Sequence, residues 1–233
     1  MSVEATPISG DLLSKVIALV KDDSGKLANP SDYEAAISQA VKVFSRHRPD
    51  TMVVDITGNG TNDYDFPSGW VGDFSSIRSI EFPIGEVPET LLDNDEYAIY
   101  QTPAKKQIRL INERPSASES FRVCFTLPRT DSTIPDNDVD AVCNLAASVC
   151  LEQLANAFAQ TSDSTIGADS VNYRTKSADF SSRAKRHFQL YKEHMGIRED
   201  DITPPASAVT DLDMKYPGGA GRLTHPRRER EKR

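Results

Sequence analysis

Three stretches of the chain carry residue types that do chemistry in other settings, and each lacks something that chemistry requires. The run Thr57-Gly58-Asn59-Gly60-Thr61 has the glycine content of a phosphate loop. It lacks the Gly-Lys-Ser/Thr ending that holds a phosphate, and no helical pattern follows to offer its N-terminus, so it reads as a turn. Asp136, Asp138 and Asp140 have the opening spacing of a calcium loop. Ala141 stands where that loop needs glycine for its sharp bend, and Ala147 where it needs a bidentate glutamate. These acids read instead as a helix start, where carboxylates meet the positive end of the dipole. Asp93, Asp95 and Glu96 read as a solvated acidic turn.

The histidines are His47, His187, His194 and His225. None pairs with a second ligand at a spacing that specifies zinc, because His187 and His194 lie two turns apart along one helix. Ser162, Ser164 and Ser170 crowd one loop, yet no Gly-x-Ser-x-Gly elbow exposes a nucleophile. The sequence therefore nominates no catalytic, cofactor-binding or metal-binding residue, and the chain reads as a protein that is not an enzyme.

The elements that must position everything else centre on two long helices between Pro135 and Gly196, joined by a polar elbow at 161–167. Val139, Cys143, Ala146, Cys150, Leu154 and Ala157 recur every three or four residues and predict one buried face. Alanines at 141, 146, 147, 155, 157 and 159 keep the other sides slim enough for close neighbours. The second helix carries Tyr173, Phe180, Ala184, Phe188, Tyr191 and Met195 at similar spacing, with Arg174, Lys176, Arg183, Lys185, Arg186 and Lys192 around them. At about 1.5 Å per residue each helix is roughly 35 Å long.

Upstream, Leu12, Leu13, Val16, Ile17, Leu19 and Val20 predict a short helix over 11–20. A second begins near Pro30, with either Ser31 and Glu34 as a capping box or Asn29 as the cap, and stops before Pro49. Between 50 and 129 the period changes to two, and strands are predicted at 52–56, 64–66, 76–82, 97–101, 107–111 and 121–127. Gly58-Asn59-Gly60 predicts a hairpin joining the first two. The sheet is expected to pack on Trp70 and Phe74. Strands bunched between helices predict an α+β fold: a helical frame from residues 1–49 and 130–196, an inserted antiparallel module at 50–129, and an extended arm at 197–233. The arm has too few apolar residues to fold alone and is expected to be disordered without a partner.

Composition sets further bounds. The chain has 233 residues, 38% hydrophobic and 27% charged. No run approaches the roughly 18 uninterrupted apolar residues of a membrane span. The N-terminus lacks the pattern of a secretory signal, so the chain is expected to stay where it is made. Cys124, Cys143 and Cys150 read as small buried residues of a reducing compartment. The net charge of −8 argues against a general nucleic-acid binder, although residues 226–233 hold five Lys or Arg against two Glu. Such a basic tail either docks on an acidic partner or is simply solvated.

Two long runs go beyond composition. One is Leu145-Ala146-Ala147-Ser148-Val149-Cys150-Leu151-Glu152-Gln153-Leu154-Ala155. The other continues through Ala159-Gln160-Thr161-Ser162-Asp163-Ser164-Thr165-Ile166 and Ala168-Asp169-Ser170-Val171-Asn172-Tyr173-Arg174. With Ser45-Arg46-His47-Arg48-Pro49 and Ser76-Ile77-Arg78-Ser79-Ile80-Glu81-Phe82-Pro83, these runs resemble the neck proteins of tailed bacteriophages. The order of helices, strand-rich insertion, helix pair and C-terminal extension resembles head-to-tail connector (adaptor) proteins, over roughly residues 33–196.

That resemblance implies a structural virion protein, made in the bacterial host cytoplasm and located in the neck. It implies a homo-oligomeric ring of about twelve copies beneath the portal, with a further tail or neck protein below. Genomic DNA would pass along the axis without sequence-specific binding, and no cofactor or membrane is implied. Residues carried over as ring packing are Ala146, Cys150, Leu154, Tyr173, Phe180 and Tyr191. The portal-binding arm would use Tyr216, Arg222, Arg227, Arg228, Arg230, Lys232 and Arg233. Another neck or tail-completion layer, or a DNA-binding packaging factor acting through the basic tail, are the alternative readings.

Overall fold

Apolar residues three or four apart close the helices, and period-two alternation closes the strands, so the element order follows the sequence pattern closely. A computed structural model of the chain describes residues 10–160 and 173–197, together with the short strands Lys215–Tyr216 and Ala220–Gly221. Four helices form one layer: α1 (Gly10–Val20), α2 (Ser31–His47), α3 (Val139–Ala159) and α4 (Tyr173–Met195). Between α2 and α3 come β1 (Asp50–Thr57), β2 (Asp63–Tyr64), β3 (Ile77–Glu81), β4 (Tyr97–Gln101), β5 (Lys106–Leu110) and β6 (Ser120–Leu127). The fold is α+β.

α3 is the centre of the helical core. Its burial exceeds the single face that the spacing predicts, since Val142, Leu145, Ala147, Ser148 and Leu151 are buried along with Cys143, Ala146, Cys150 and Leu154. The reason is that α1, α2 and α4 all pack against it. It is long and apolar enough by composition to cross a membrane, and its residues are mostly buried inside this fold. α4 buries Ala184, Tyr191 and Met195. Phe188, predicted in the same stripe, is 43% exposed, and Leu190 is 41% exposed.

The helix ends are held by local chemistry. α2 uses neither of the predicted caps. Its N-cap is Pro30, without a side-chain cap bond, and the Asp32 carboxylate instead accepts from the Ala28 amide at 2.7 Å. Arg183 of α4 donates to the carbonyls of Leu19 and Val20, satisfying two orphan acceptors at the end of α1. α4 stops at Gly196, whose φ of 69° suits glycine, and the Ile197 amide returns to the Lys192 carbonyl at 2.9 Å.

The strands form two antiparallel sheets of three strands each, in the orders β1-β6-β3 and β2-β5-β4. The predicted hairpin around Gly58-Asn59-Gly60 is therefore corrected, because β1 pairs with β6 and β2 with β5. The Gly58 amide donates to Glu119 and the Gly60 amide to Pro115, so this segment docks on 115–119 and carries the chain from one sheet to the other. A Cβ on Gly58 would land on the backbone carbonyls of Pro115 and Ser116, which accounts for glycine there.

The sheets face each other across one core of Tyr64, Ile80, Ile108, Leu110, Phe121, Val123 and Phe125, with the Tyr64 and Phe121 rings edge to face at 4.7 Å. Trp70 packs there as expected, stacked on Phe66 at 4.2 Å and tilted against Phe125. Phe74 does not join that core and lines a cleft beside the end of α2. Of the predicted arm, Ile197, which packs against the helix core, and the pairs Lys215↔Gly221 and Tyr216↔Ala220 are described. The elbow at 161–167 and the rest of 198–233 lie outside the described residues.

Candidate functional site

The sheet core and the helix core share no member, and the chain passes between them twice, at 48–50 and at 127–133. Arg129 ties the two passages together. Its guanidinium donates to the carbonyls of Arg48, Pro49 and Thr133 and lies 3.6 Å from Asp50, while its amide donates to the Ser45 hydroxyl at 2.9 Å. Next to this tie, Asp138 is 3% exposed and accepts from Arg48 at 2.6 Å and from His194 at 2.7 Å. One carboxylate thus joins the ends of α2 and α4 to the start of α3. Burial opposes its charge, but the hydrogen bonds from His194 and Arg48 outweigh that and hold its pKa below the ordinary carboxylate value.

His47 and Tyr191 complete the cluster with a 2.6 Å hydrogen bond between Nδ1 and the phenol oxygen. Burial lowers the His47 pKa, helped by Arg46, and burial raises that of Tyr191. The neutral imidazole and the protonated phenol share this bond. His187, bonded to Asn144 at 2.8 Å, is likewise lowered by burial and by Arg183 and Arg186.

A pH dependence follows. Both histidines bind a proton more readily unfolded than folded, so the stability they contribute is complete above about 6.5 and is lost as the pH falls. Asp138, also lowered, contributes above about 4 and loses its share on further acidification. The urea midpoint is expected to be level above about pH 7, to decline below about 6.5, and to decline again below about 4. Replacing both His47 and His187 by glutamine should flatten the first decline; an unchanged slope in that variant would refute the assignment.

Most residues nominated by sequence lie elsewhere. Thr57–Thr61 is the crossing between sheets, and of the three aspartates only Asp138 is engaged in a cluster, with basic partners. Among the described residues no group of three or more His, Cys, Asp or Glu could hold a metal ion. Burial pushes the Cys143 thiol up to about 11 and the Cys150 thiol up to about 12, which leaves them unreactive. The ring-packing assignment is corrected for four of its residues. Ala146, Cys150, Leu154 and Tyr191 are each 0% exposed within the chain's own helical core and have no surface to offer another copy. Phe180 is half-buried, stacked on Phe158 at 5.3 Å. The side chains of Tyr173, Tyr216, Arg222, Arg227, Arg228, Arg230, Lys232 and Arg233 lie outside the described residues.

Apolar surface is found instead at the sandwich and on α4. Val53 is 55% exposed, Leu91 51%, Ile99 49% and Ile111 50%, and Phe188 and Leu190 are exposed on α4. The outer face of the first sheet is otherwise polar, where Arg122 grips Asp55 with two hydrogen bonds of 2.7 and 3.0 Å and reaches Glu81 at 3.3 Å. On the second sheet Arg109 makes a similar two-point contact with Asp63 and lies over the Tyr100 ring at 3.4 Å. The arrangement has the makings of an interaction surface, with no reactive group at its centre.

No family model matches the chain, and no curated protein matches it. Among solved structures, a chain of the virion of a native gene transfer agent particle aligns at 12% identity and a TM-score of 0.28, covering 76% of this chain and 93% of that one. A chain from the neck of the empty particle, computed with C6 symmetry, aligns at 13% identity and a TM-score of 0.28. It covers 76% of this chain and 93% of its own length. A chain from the neck of the native particle, computed with C12 symmetry, aligns at 16% identity and a TM-score of 0.26, covering 77% and 94%. Likenesses this distant establish neither family nor function.

Proposed function

We propose that this chain is the subunit of a head-to-tail connector, a structural ring in the neck of a phage-like particle that joins the portal to the tail and encloses part of the DNA channel. The observation that carries the reading is the element order. A sandwich is inserted between the second and third helices of a four-helix unit, the layout implied by the sequence resemblance. In this reading residues 1–49 and 130–196 are the helical body, 50–129 the inserted module, and 197–233 the arm that reaches the portal.

Two physical features support it. Apolar side chains at Val53, Ile99, Ile111, Phe188 and Leu190 are exposed although both cores are filled, the pattern of a surface that another protein covers. The acidic balance of −8 lets DNA slide past where a basic lining would hold it. The role is structural and needs no catalyst, cofactor or metal.

The test is truncation after Gly196. The Gly196 amide still bonds the Glu193 carbonyl there and only the Ile197 closing bond is lost, so the helical circular-dichroism signal should be retained while co-purification with the portal and formation of tailed particles are lost. Unchanged portal binding and normal particles from the truncated chain would reject the proposal.

A further inference from the structure

A sheet edge is a row of unpaired backbone donors and acceptors, and proteins ordinarily cover, shorten or charge it. The sandwich has four such edges, and two of them are dealt with. β2 is only two residues long. β3 is flanked by 90–92, where the Phe82 amide donates to Thr90 and the Leu92 amide to Ile80. β1 and β4 remain. Among the described residues, neither makes a backbone ladder on its outer side.

The hydrogen-bond alternation of antiparallel strands says which residues face outward. The Thr102 amide bonds Lys105, and the Ile111 amide bonds Glu96, so Glu96, Ala98, Tyr100 and Thr102 are the positions turned toward β5. The backbone groups of Tyr97, Ile99 and Gln101 are therefore turned away. By the same count, the Gly58 amide on Glu119 sets Met52, Val54 and Ile56 toward β6 and leaves Thr51, Val53, Asp55 and Thr57 facing out. β4 thus presents three outward residues and β1 four. Ile99 is the middle one in β4, 49% exposed, and Val53 is the apolar one in β1, 55% exposed. β4 carries no charge and no proline along Tyr97–Gln101, so nothing in it repels an incoming strand.

The two edges lie on opposite sides of the sandwich. The short link 58–62 keeps β2 on the β1 side, and 90–92, running beside β3, leads within a few residues into β4. A patch that meets a different patch of the next copy, on opposite flanks of each subunit, makes a head-to-tail contact that closes into a ring or runs on as a filament.

Resting on the connector reading above, we infer that neighbouring copies of this chain join by β-strand addition, β4 of one copy pairing antiparallel with β1 of the next, Ile99 opposite Val53. The occupant of each open edge is a second copy because one strand completes the other. Both are extended and apolar where they would meet, and the three outward residues of β4 match Thr51, Val53 and Asp55 of β1, where the Thr51 amide already donates to the Asp50 carboxylate at 3.0 Å. The join leaves no long open edge in a closed ring.

The experiment uses the full chain, alone and mixed with the portal protein of its own particle, read by native mass spectrometry and particle imaging. Ile99→Pro removes an outward N–H and leaves the β5 rungs intact, so it should abolish the oligomer while Trp70 fluorescence stays native. A second variant covers the risk that proline disturbs the strand. With Cys124, the cross-strand partner of Val53, replaced by serine, Val53→Cys and Ile99→Cys together should give an oxidised ladder extending beyond the dimer. Either single cysteine faces no thiol at this join and should give no cross-linked ladder. Rings that persist in Ile99→Pro, or that fail to cross-link through the cysteine pair, overturn this inference and leave the connector reading standing. Absence of any ring from the parent chain, with portal or without it, overturns both.

Discussion

Tyr191→Ala is expected to lower the stability of the helical unit by about 4 kcal/mol, the largest single effect in this half of the chain. Tyr191 is fully buried and is the largest side chain so placed among the described residues. Its ring fills the space beside α3, and the surrounding helices have little freedom to collapse into the cavity that alanine leaves. The substitution also strands His47, whose Nδ1 loses the hydroxyl 2.6 Å away. Urea denaturation followed by far-ultraviolet circular dichroism measures the loss. Tyr191→Phe separates the two contributions, because it keeps the ring and removes only the hydrogen bond, and should cost about 1 kcal/mol. A loss below about 1.5 kcal/mol for Tyr191→Ala would mean that α4 is not anchored at this residue.

Gly58→Ala is expected to cost the sandwich about 2–3 kcal/mol. A new Cβ meets the carbonyls of Pro115 and Ser116, and these are backbone atoms that no rotamer change can move aside. Relief requires shifting the segment whose amides at Gly58 and Gly60 bond Glu119 and Pro115, which loosens the crossing between the sheets. Trp70 is the sole tryptophan and lies in the sandwich core, so its fluorescence reports this module while circular dichroism reports chiefly the helices. The fluorescence transition should move to lower urea by more than the circular-dichroism transition. If both move together, the two cores unfold as one unit.

How far the fold could be read from the sequence differs by level. All six strands of the sandwich fall within a residue or two of where period-two alternation and turn residues place them, because an apolar face and a polar face mark each strand locally. Their pairing was hidden. Gly58-Asn59-Gly60 has the composition of a tight hairpin, yet its partner is 115–119, nearly sixty residues on, and the close approach that demands glycine comes from that distant backbone. The caps failed for a related reason, since Asp32 reaching back to Ala28 depends on the path of the preceding loop.

The same limit governs the sites. Ala146, Cys150 and Leu154 have spacing that marks a buried helix face, and spacing alone does not say whether the cover comes from the same chain or another copy. The structure supplies the cover internally. Asp138 was legible as a first-turn acid, but its partners Arg48 and His194 lie 90 and 56 residues away. The open edges left a faint trace in the uncharged run Tyr97–Gln101. That they stay open is a property of strand order, which no local pattern records.

Arg129 has a mechanical corollary. The outgoing passage at 48–50 and the returning one at 127–133 run side by side and are clamped across by one guanidinium. Two adjacent attachments resist torsion better than one, while bending across the line that joins them stays comparatively soft. The sandwich should therefore nod against the helices more readily than it swivels, which in the proposed ring would let subunits absorb differences in tilt while keeping their strands aligned with their neighbours.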